Sequence, residues 1–307
     1  MNDSVSVIVL THNLEKYIQA TLDSLCQQTY KNFEVVIIDD GSTDTTLAKV
    51  YEFKDRLNLN VIEKVNSGNV GRNRNEAVKA AKGRYIYFLD GDDLWEEGKL
   101  EYIHNIFKNS ECKIICTNAK VIDSYGNLIK DKYFREITFS PEIKLYDLVR
   151  LNFVITSSTG IKKEVISDEV KFEQEEGYLG EDYILWLKII EKYSGLFINE
   201  SPVRYRVHES NASLTKPEIR IFLLNKSIRI RSGYFGYPDL EVQKNAKLGC
   251  NALFAELSLI YFRQKNYFEA YKNLKRMSFI PGEIKLKSFL KYAPLLCLLF
   301  IINIFRH

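Results

Sequence analysis

Residues 85–95 read YIYFLDGDDLW: five apolar or aromatic positions run without interruption into three carboxylates, Asp90, Asp92 and Asp93. An acidic turn is one account, because Asp and Gly are favoured where a chain reverses. A divalent-cation site at the end of a buried strand is the other. Two further runs of the same design lie upstream. VSVIVL (5–10) is broken by THN, and FEVVII (33–38) ends in DDGS (39–42). Such β-branched runs predict strands buried on both faces of a parallel sheet.

Between the first two strands, Tyr17, Ile18, Leu22 and Leu25 fall at the spacing of one helical face. A helix over 45–53, a strand over 59–63, a Gly/Asn-rich loop over 66–71 and a helix over 75–82 then lead to the strand at 84–89. Alternating strands and helices predict an α/β sheet with mostly parallel strands and right-handed crossovers. Ligands of such sheets bind beyond the carboxyl ends of the strands. THN (11–13), DDGS (39–42) and DGDD (90–93) all fall there, and three polar clusters at one edge argue for a site over three unrelated turns.

Downstream, 113–123 and 125–134 predict a hairpin turning at Tyr125-Gly126-Asn127. Residues 144–151 read as helix, 152–163 as extended, 180–193 as a helix with Ile184, Trp186, Leu187 and Ile190 inward, and 195–208 as strand. The expected division is a sheet domain over 1–214 and a helical region over 215–307. In the latter, 251–281 resembles one tetratricopeptide unit, with Phe254, Leu257, Tyr261, Ala270 and Leu274 at packing positions. One unit makes no solenoid, so a packed helix hairpin is expected.

Composition narrows the function. With 307 residues and a formal net charge of +3, the chain lacks the strong basic excess of a nucleic-acid binder. Its five cysteines form no C-x-x-C pair, which suits thiols in a reducing compartment. The start, MNDSVSVIVLTHN, has no basic segment before its apolar run, so a cytoplasmic protein is expected. There is no G-x-x-x-x-G-K-[ST], and no G-x-G-x-x-G follows the first strand. The G-x-x-G of Gly68–Gly71 lacks the αββα setting of an RNA-binding KH module. What remains is a nucleotide-diphosphate site built from acidic strand ends. Carboxylates beside phosphate require Mg²⁺ or Mn²⁺ between them, and Asp90 and Asp92, one residue apart, point to one side of an extended segment.

VSVIVLTHNLEKYIQATLDSLCQQTYKNFEVVIIDDGSTD (5–44), VGRNRNEAVKAAKGRYIYFLDGDD (70–93), GEDYILWLKI (180–189) and YRVH (205–208) occur in that order. Together they resemble family 2 glycosyltransferases of the GT-A fold over roughly residues 3–214. The resemblance implies a mixed, mostly parallel sheet flanked by helices, and metal-dependent inverting transfer of a sugar from a nucleotide-sugar donor, a UDP-sugar by expectation. The acceptor it implies is a glycan or a polyprenyl-linked glycan, in surface polysaccharide synthesis.

By the same resemblance Thr11, Asn13 and Glu15 line the nucleoside pocket, Asp40 with Asp39 reads the base, and Arg74 and Asn75 lie near the donor phosphates. Asp90-Gly91-Asp92 matches the D-x-D element, with Asp92 the direct metal ligand, Asp90 turned to the metal or the ribose, and Asp93 in support. Asp182 matches the general base, and His208 completes the metal or pyrophosphate shell. Leu10-Thr11-His12 stands where the family often has Pro-Thr-Tyr. On electrostatics alone, Glu181-Asp182 also suits a helix amino terminus. A same-fold nucleotidyltransferase and a non-catalytic nucleotide-sugar-binding module are the alternatives; the full set of carboxylates disfavours the second.

The chain ends KLKSFLKYAPLLCLLFIINIFRH (285–307), basic and apolar with no acid. Its uncharged stretch, Tyr292 to Phe305, is about 21 Å long as a helix, short of the roughly 30 Å hydrocarbon core of a bilayer. Attachment to the anionic inner face of the cell membrane and docking on the protein's own hairpin both suit it.

Overall fold

The computed structural model describes residues 3–135, 140–174, 180–209 and 217–277. The expectations for the tail and for a boundary at 214 lie outside the described residues. The chain forms two compact units, Met1–Leu145 with Asn152–His208, and Tyr146–Leu151 with Glu209–His307.

The first unit is built on two sheets. Strands β1 (Val5–Thr11), β2 (Phe33–Asp39), β3 (Leu59–Glu63), β4 (Tyr85–Asp90), β6 (Ile114–Thr117), β9 (Gly160–Lys162) and β10 (Gly195–Ile198) form the larger, in the order β10-β6-β9-β4-β1-β2-β3. β1 pairs in parallel with β2 and β4, and β2 with β3. β9 runs antiparallel to both neighbours, β4 and β6, so β6 and β10 recover the direction of the first four strands. The smaller sheet is β5 (Leu94–Trp95), β11 (Val203–Arg206), β7 (Lys120–Ile122) and β8 (Leu128–Lys130), in the order β5-β11-β7-β8.

Burial on both faces explains the unbroken apolar runs. Val5, Val7 and Val9 of β1 pack with Ile18, Leu22 and Leu25 of helix α1 (Ile18–Cys26) and with Leu100, Ile103 and Phe107 of α4 (Lys99–Lys108). α2 (Thr46–Tyr51) adds Val50 to the same cluster. On the other face Ile8 is buried, Phe88 meets Phe172 and Trp186 edge to face at 5.5 and 5.9 Å, and α3 (Val70–Ala80) contacts β1 and β2. Trp186 belongs to α6 (Glu181–Lys192). Each fully buried side chain of this size contributes roughly 1.5–3 kcal/mol.

Several local expectations change. The helix expected from 75 begins at Val70, because Asn69 caps it by accepting from the Arg72 N–H at 2.9 Å. The segment 113–123 is not one hairpin arm: β6 joins the large sheet, and only β7 pairs with β8. The extended stretch 152–163 is broken by a 3₁₀ turn over Thr156–Ser158, and 195–208 divides into β10 and β11 in different sheets. In α6 Ile184 is only half-buried, whereas Tyr183, Leu185 and Ile189 are buried.

In the second unit, α7 (Pro217–Ser232), α8 (Leu240–Arg263) and α9 (Tyr267–Lys275) pack in sequence around Leu224, Ile228, Cys250, Phe254 and Leu257. The Ser258 hydroxyl donates to the Ala270 carbonyl at 2.8 Å, closing the α8–α9 hairpin. Residues 146–151, most of helix α5 (Leu145–Arg150), join this unit through the Arg231 guanidinium on the Val149 carbonyl at 2.7 Å. Among the described residues no helix is long and apolar enough to cross a membrane.

Candidate active site

Strand register builds the site. Thr11 lies opposite Asp39, Leu10 opposite Asp90, and Asp39 opposite Glu63, so the acidic ends share one edge. The loops after β1 and β2 are then stitched together. Asn13, in the left-handed region at φ 51°, accepts from the Thr43 N–H at 2.8 Å and donates its own N–H to Ser42 Oγ at 2.9 Å. Glu15 accepts from the Thr45 hydroxyl at 2.8 Å, and Asp39 from the Ser42 hydroxyl at 2.5 Å. Asp40 accepts from the Ser67 and Gly68 N–H groups at 2.9 and 3.1 Å. Burial raises the Asp40 carboxyl, but the bonds from Ser67, Asn73 and Gly68 outweigh it and hold the group below its usual range. The Thr11 hydroxyl is buried at the same edge without a partner among the described residues.

The acidic turn after β4 carries three carboxylates in three environments. Asp90 Oδ1 accepts from Arg74 Nη2 at 2.8 Å, and the Asp90 N–H donates to Ser157 Oγ at 3.0 Å. Asp92 Oδ2 lies 2.9 Å from His208 Nε2. Asp93 is buried, accepts from the Arg206 N–H at 2.7 Å, and is pushed well above the usual carboxylate range by burial and then by Asp92 and Asp90. Gly91 is required by close approach, since a Cβ there would stand 2.7 Å from the Leu10 carbonyl oxygen.

Asp182 lies in the first turn of α6 and accepts from the Thr156 hydroxyl at 2.8 Å. Its neighbour Glu181 is buried against Arg74 Nη1. Arg74 therefore joins the acidic turn to the start of α6. The expectation sets it near the donor phosphates; in the fold the residue is 6% exposed and its guanidinium is turned to Glu181 and Asp90. The same expectation covers Asn75. It donates to the Phe172 carbonyl at 2.7 Å and accepts from the Phe172 N–H at 3.0 Å, so both ends of its amide serve the fold.

Four residues have roles that sequence reading did not assign. Arg206 donates to the Asp92 carbonyl at 2.7 Å and lies 5.0 Å over the Tyr17 ring, which itself stacks 4.6 Å from the His208 ring. Ser157, Thr156 and Glu181 anchor Asp90, Asp182 and Arg74. The only signal for the serine and threonine was a polar run, TSST, inside an apolar stretch.

Asp92 and His208, with Asp90 beside them, suit a hard cation held jointly with a ligand. Among the described residues no three His, Cys, Asp or Glu side chains converge to enclose a metal by themselves. Mg²⁺ and similar ions take one or two carboxylates when a diphosphate fills the remaining positions, so the residues fit such a shared site.

A parallel sheet with acidic strand ends, one antiparallel insertion and a carboxylate-bearing helix facing those ends is the GT-A fold of nucleotide-sugar transferases. The profile described as Glycosyl transferase family 2 matches residues 6–169, more than half of the chain, and the chain belongs to that family; it is a glycosyltransferase. A β-1,3-glucosyltransferase of Escherichia coli, acting from UDP-Glc on α-D-GlcNAc-diphosphoundecaprenol, is 35% identical over 74% of this chain and 88% of its own length. Among solved structures, Staphylococcus aureus TarS 1–349 with UDP-GlcNAc superposes with a TM-score of 0.60 at 20% identity, covering 90% of this chain and 91% of that one. A mannosyltransferase of Pyrobaculum calidifontis with GDP-Man and Mn²⁺ superposes with a TM-score of 0.59 at 16% identity, covering 97% and 81%. At those identities the structural likeness concerns the fold.

Proposed function

We propose that the enzyme transfers a sugar with inversion from a UDP-sugar to a hydroxyl of a lipid-linked or polymeric glycan acceptor, in bacterial surface polysaccharide synthesis. The observation that carries this reading is Asp182, at the start of α6 and joined through Glu181 and Arg74 to the acidic turn. The E. coli relative, which uses UDP-Glc and a diphosphoundecaprenol-linked GlcNAc, supports the donor and acceptor classes.

Asp182 takes the proton of the acceptor hydroxyl as it attacks the anomeric carbon, oriented by the Thr156 hydroxyl. One base opposite one leaving group gives a single displacement, hence inversion. Thr11, Asn13, Glu15, Asp39 and Asp40 form the nucleoside wall. A divalent cation, Mg²⁺ or Mn²⁺, held by Asp92 with Asp90 and His208, would relieve charge on the departing diphosphate. A mannosyltransferase of the same fold binds Mn²⁺, which supports a divalent cation here but not its ligands. Arg74 assists from behind Asp90. The apolar, basic tail at 285–307 is our assignment for contact with the inner membrane face, where a polyprenyl-linked acceptor resides. Membrane fractionation of a chain ending at Lys287 tests it: an unchanged membrane fraction rejects the tail.

The central test incubates the protein with Mn²⁺, UDP-glucose and a GlcNAc-diphospho-lipid and follows UDP release and glycolipid formation. Asp182→Asn is expected to lose transfer while binding UDP as the wild type does. Asp92→Ala is expected to weaken Mn²⁺-dependent UDP binding by roughly ten-fold or more, about 1.4 kcal/mol. Undiminished turnover in Asp182→Asn sinks the base assignment, and pyrophosphate release in place of UDP makes the enzyme a nucleotidyltransferase.

A further inference from the structure

The pair Arg74–Glu181 is a costly arrangement for a protein to keep. Glu181 is 4% exposed and Arg74 6%, and the second arm of the guanidinium holds Asp90. Taking an ion triad out of water is expensive, and apolar residues of similar volume fill such a space at least as stably. Stability alone therefore does not account for it. A guanidinium is a planar, rigid fork, so two carboxylates bound to its two arms keep a fixed separation.

Asp90 closes β4 and opens the acidic turn, and Glu181 adjoins Asp182. α6 has no side-chain cap at its start: Gly180 occupies the cap position in a left-handed conformation at φ 82°. The segment before it is fastened to α3 instead. Asn69 donates to the Gln174 carbonyl at 2.8 Å, Asn75 holds Phe172 at both backbone groups, and Gly71 lies so close that a Cβ there would meet the Glu173 carbonyl oxygen at 1.8 Å. Lys188 of α6 pairs with Glu173 at 2.7 Å. The face of α3 made by Gly71, Arg74 and Asn75 is thus the reference against which the start of α6 is set.

We propose that Glu181 is a positioning residue for sugar transfer: through Arg74 it fixes the first turn of α6, and with it Asp182, relative to Asp90 and the donor-side turn. The proposal rests on Asp182 being the base. Glu181 is buried and turned to Arg74, so its removal acts on the geometry of attack and not on donor affinity.

The test uses the full chain with Mn²⁺, UDP-glucose and the GlcNAc-diphospho-lipid, with active sites counted by UDP binding. Glu181→Gln lowers kcat per site roughly 10- to 100-fold, the penalty of a misplacement near 1 Å, and leaves KM for UDP-glucose within about two-fold. Arg74→Lys, which keeps the charge but loses the fork, shows the same loss of kcat per site and carries the test should Glu181→Gln fail to fold. A role in folding alone lowers the number of sites and leaves kcat per site unchanged; that result overturns the proposal. Amide hydrogen exchange supplies a readout independent of turnover: exchange at 182–185 quickens in Glu181→Gln while β1 and β2 keep wild-type rates. If the wild type does not turn over this substrate pair, the donor and acceptor reading fails, and exchange alone decides, with wild-type rates at 182–185 overturning the positioning role. Turnover retained in Asp182→Asn would sink the base assignment separately from either result.

Discussion

Three neighbouring aspartates show how much environment decides at the scale of one residue. Asp90 is paired with a buried arginine, Asp92 lies beside a histidine, and Asp93 is sealed under the backbone of β11. Their difference predicts different responses to one conservative change. Asp93→Asn keeps an oxygen for the Arg206 N–H and removes an acid that burial already disfavours as an anion. We expect a stability change under about 1 kcal/mol, with UDP binding retained. Asp92→Asn, which removes charge from the position we propose for the cation, is expected to weaken Mn²⁺-dependent UDP binding while changing the thermal midpoint little. Calorimetric titration with UDP and Mn²⁺ and a thermal melt separate the two; equal losses of binding would show that the turn acts as one undivided anionic cluster. The sequence displays three carboxylates within four positions but not these environments. Burial of Asp93 comes from β11, more than a hundred residues away in the chain.

At the scale of an element, α3 carries information that its sequence signature conceals. Val70–Asn75 reads as a loop running into a helix, and the arginine and asparagine in it suggest phosphate ligands. In the fold Asn69 caps the helix, and Asn75 and Gly71 hold the segment 172–174. Gly71→Ala is therefore expected to force α3 away from Glu173 and to cost about 1–3 kcal/mol, read as a lowered midpoint in urea or heat. Asn75→Ala leaves two backbone groups of Phe172 without their partner and is expected to cost a similar amount, about 1–3 kcal/mol. A wild-type midpoint in Gly71→Ala would show that the segment moves freely with the helix. The strands were legible as elements because burial on both faces imposes long β-branched runs. The pairing of 113–134 was not, since period-two patterning does not say which sheet a strand joins.

Across the whole molecule, one buried and one half-buried carboxylate give stability opposite pH slopes. Burial lifts Glu181 to about 7 against the pull of Arg74, with Asp182 and Asp90 adding to the rise. The folded protein then holds this proton more tightly than the unfolded chain. Its contribution to stability is full below the ordinary Glu value of 4.5 and is lost as pH rises through about 7. Glu96 is the reverse: Arg204 first, and Lys120 with it, outweigh burial and draw it to about 2. Its contribution is present above 4.5 and is lost as pH falls toward 2. Glu96 also ties the smaller sheet together, bonding Arg204 of β11 and Lys120 of β7. Glu181→Gln should flatten the decline of the thermal midpoint between about pH 5 and 7. Glu96→Gln should lower the midpoint at pH 7 and converge with the wild type as acid protonates the native residue. Parallel curves for either variant would reject the corresponding assignment.

The amino-acid sequence by itself determined the fold class, the parallel core, and the carboxylates placed at its edge, because hydrophobic period and strand-end composition are properties of neighbouring residues. It also carried the family, through motifs whose order matches the order of the strands. Only the tertiary structure decided which acid is paired with an arginine, which is sealed and which lies beside His208, and that Arg74, which holds Asp90, also reaches Glu181 107 positions away in the chain. Those outcomes depend on solvent exclusion and on the meeting of distant side chains, which no local pattern specifies.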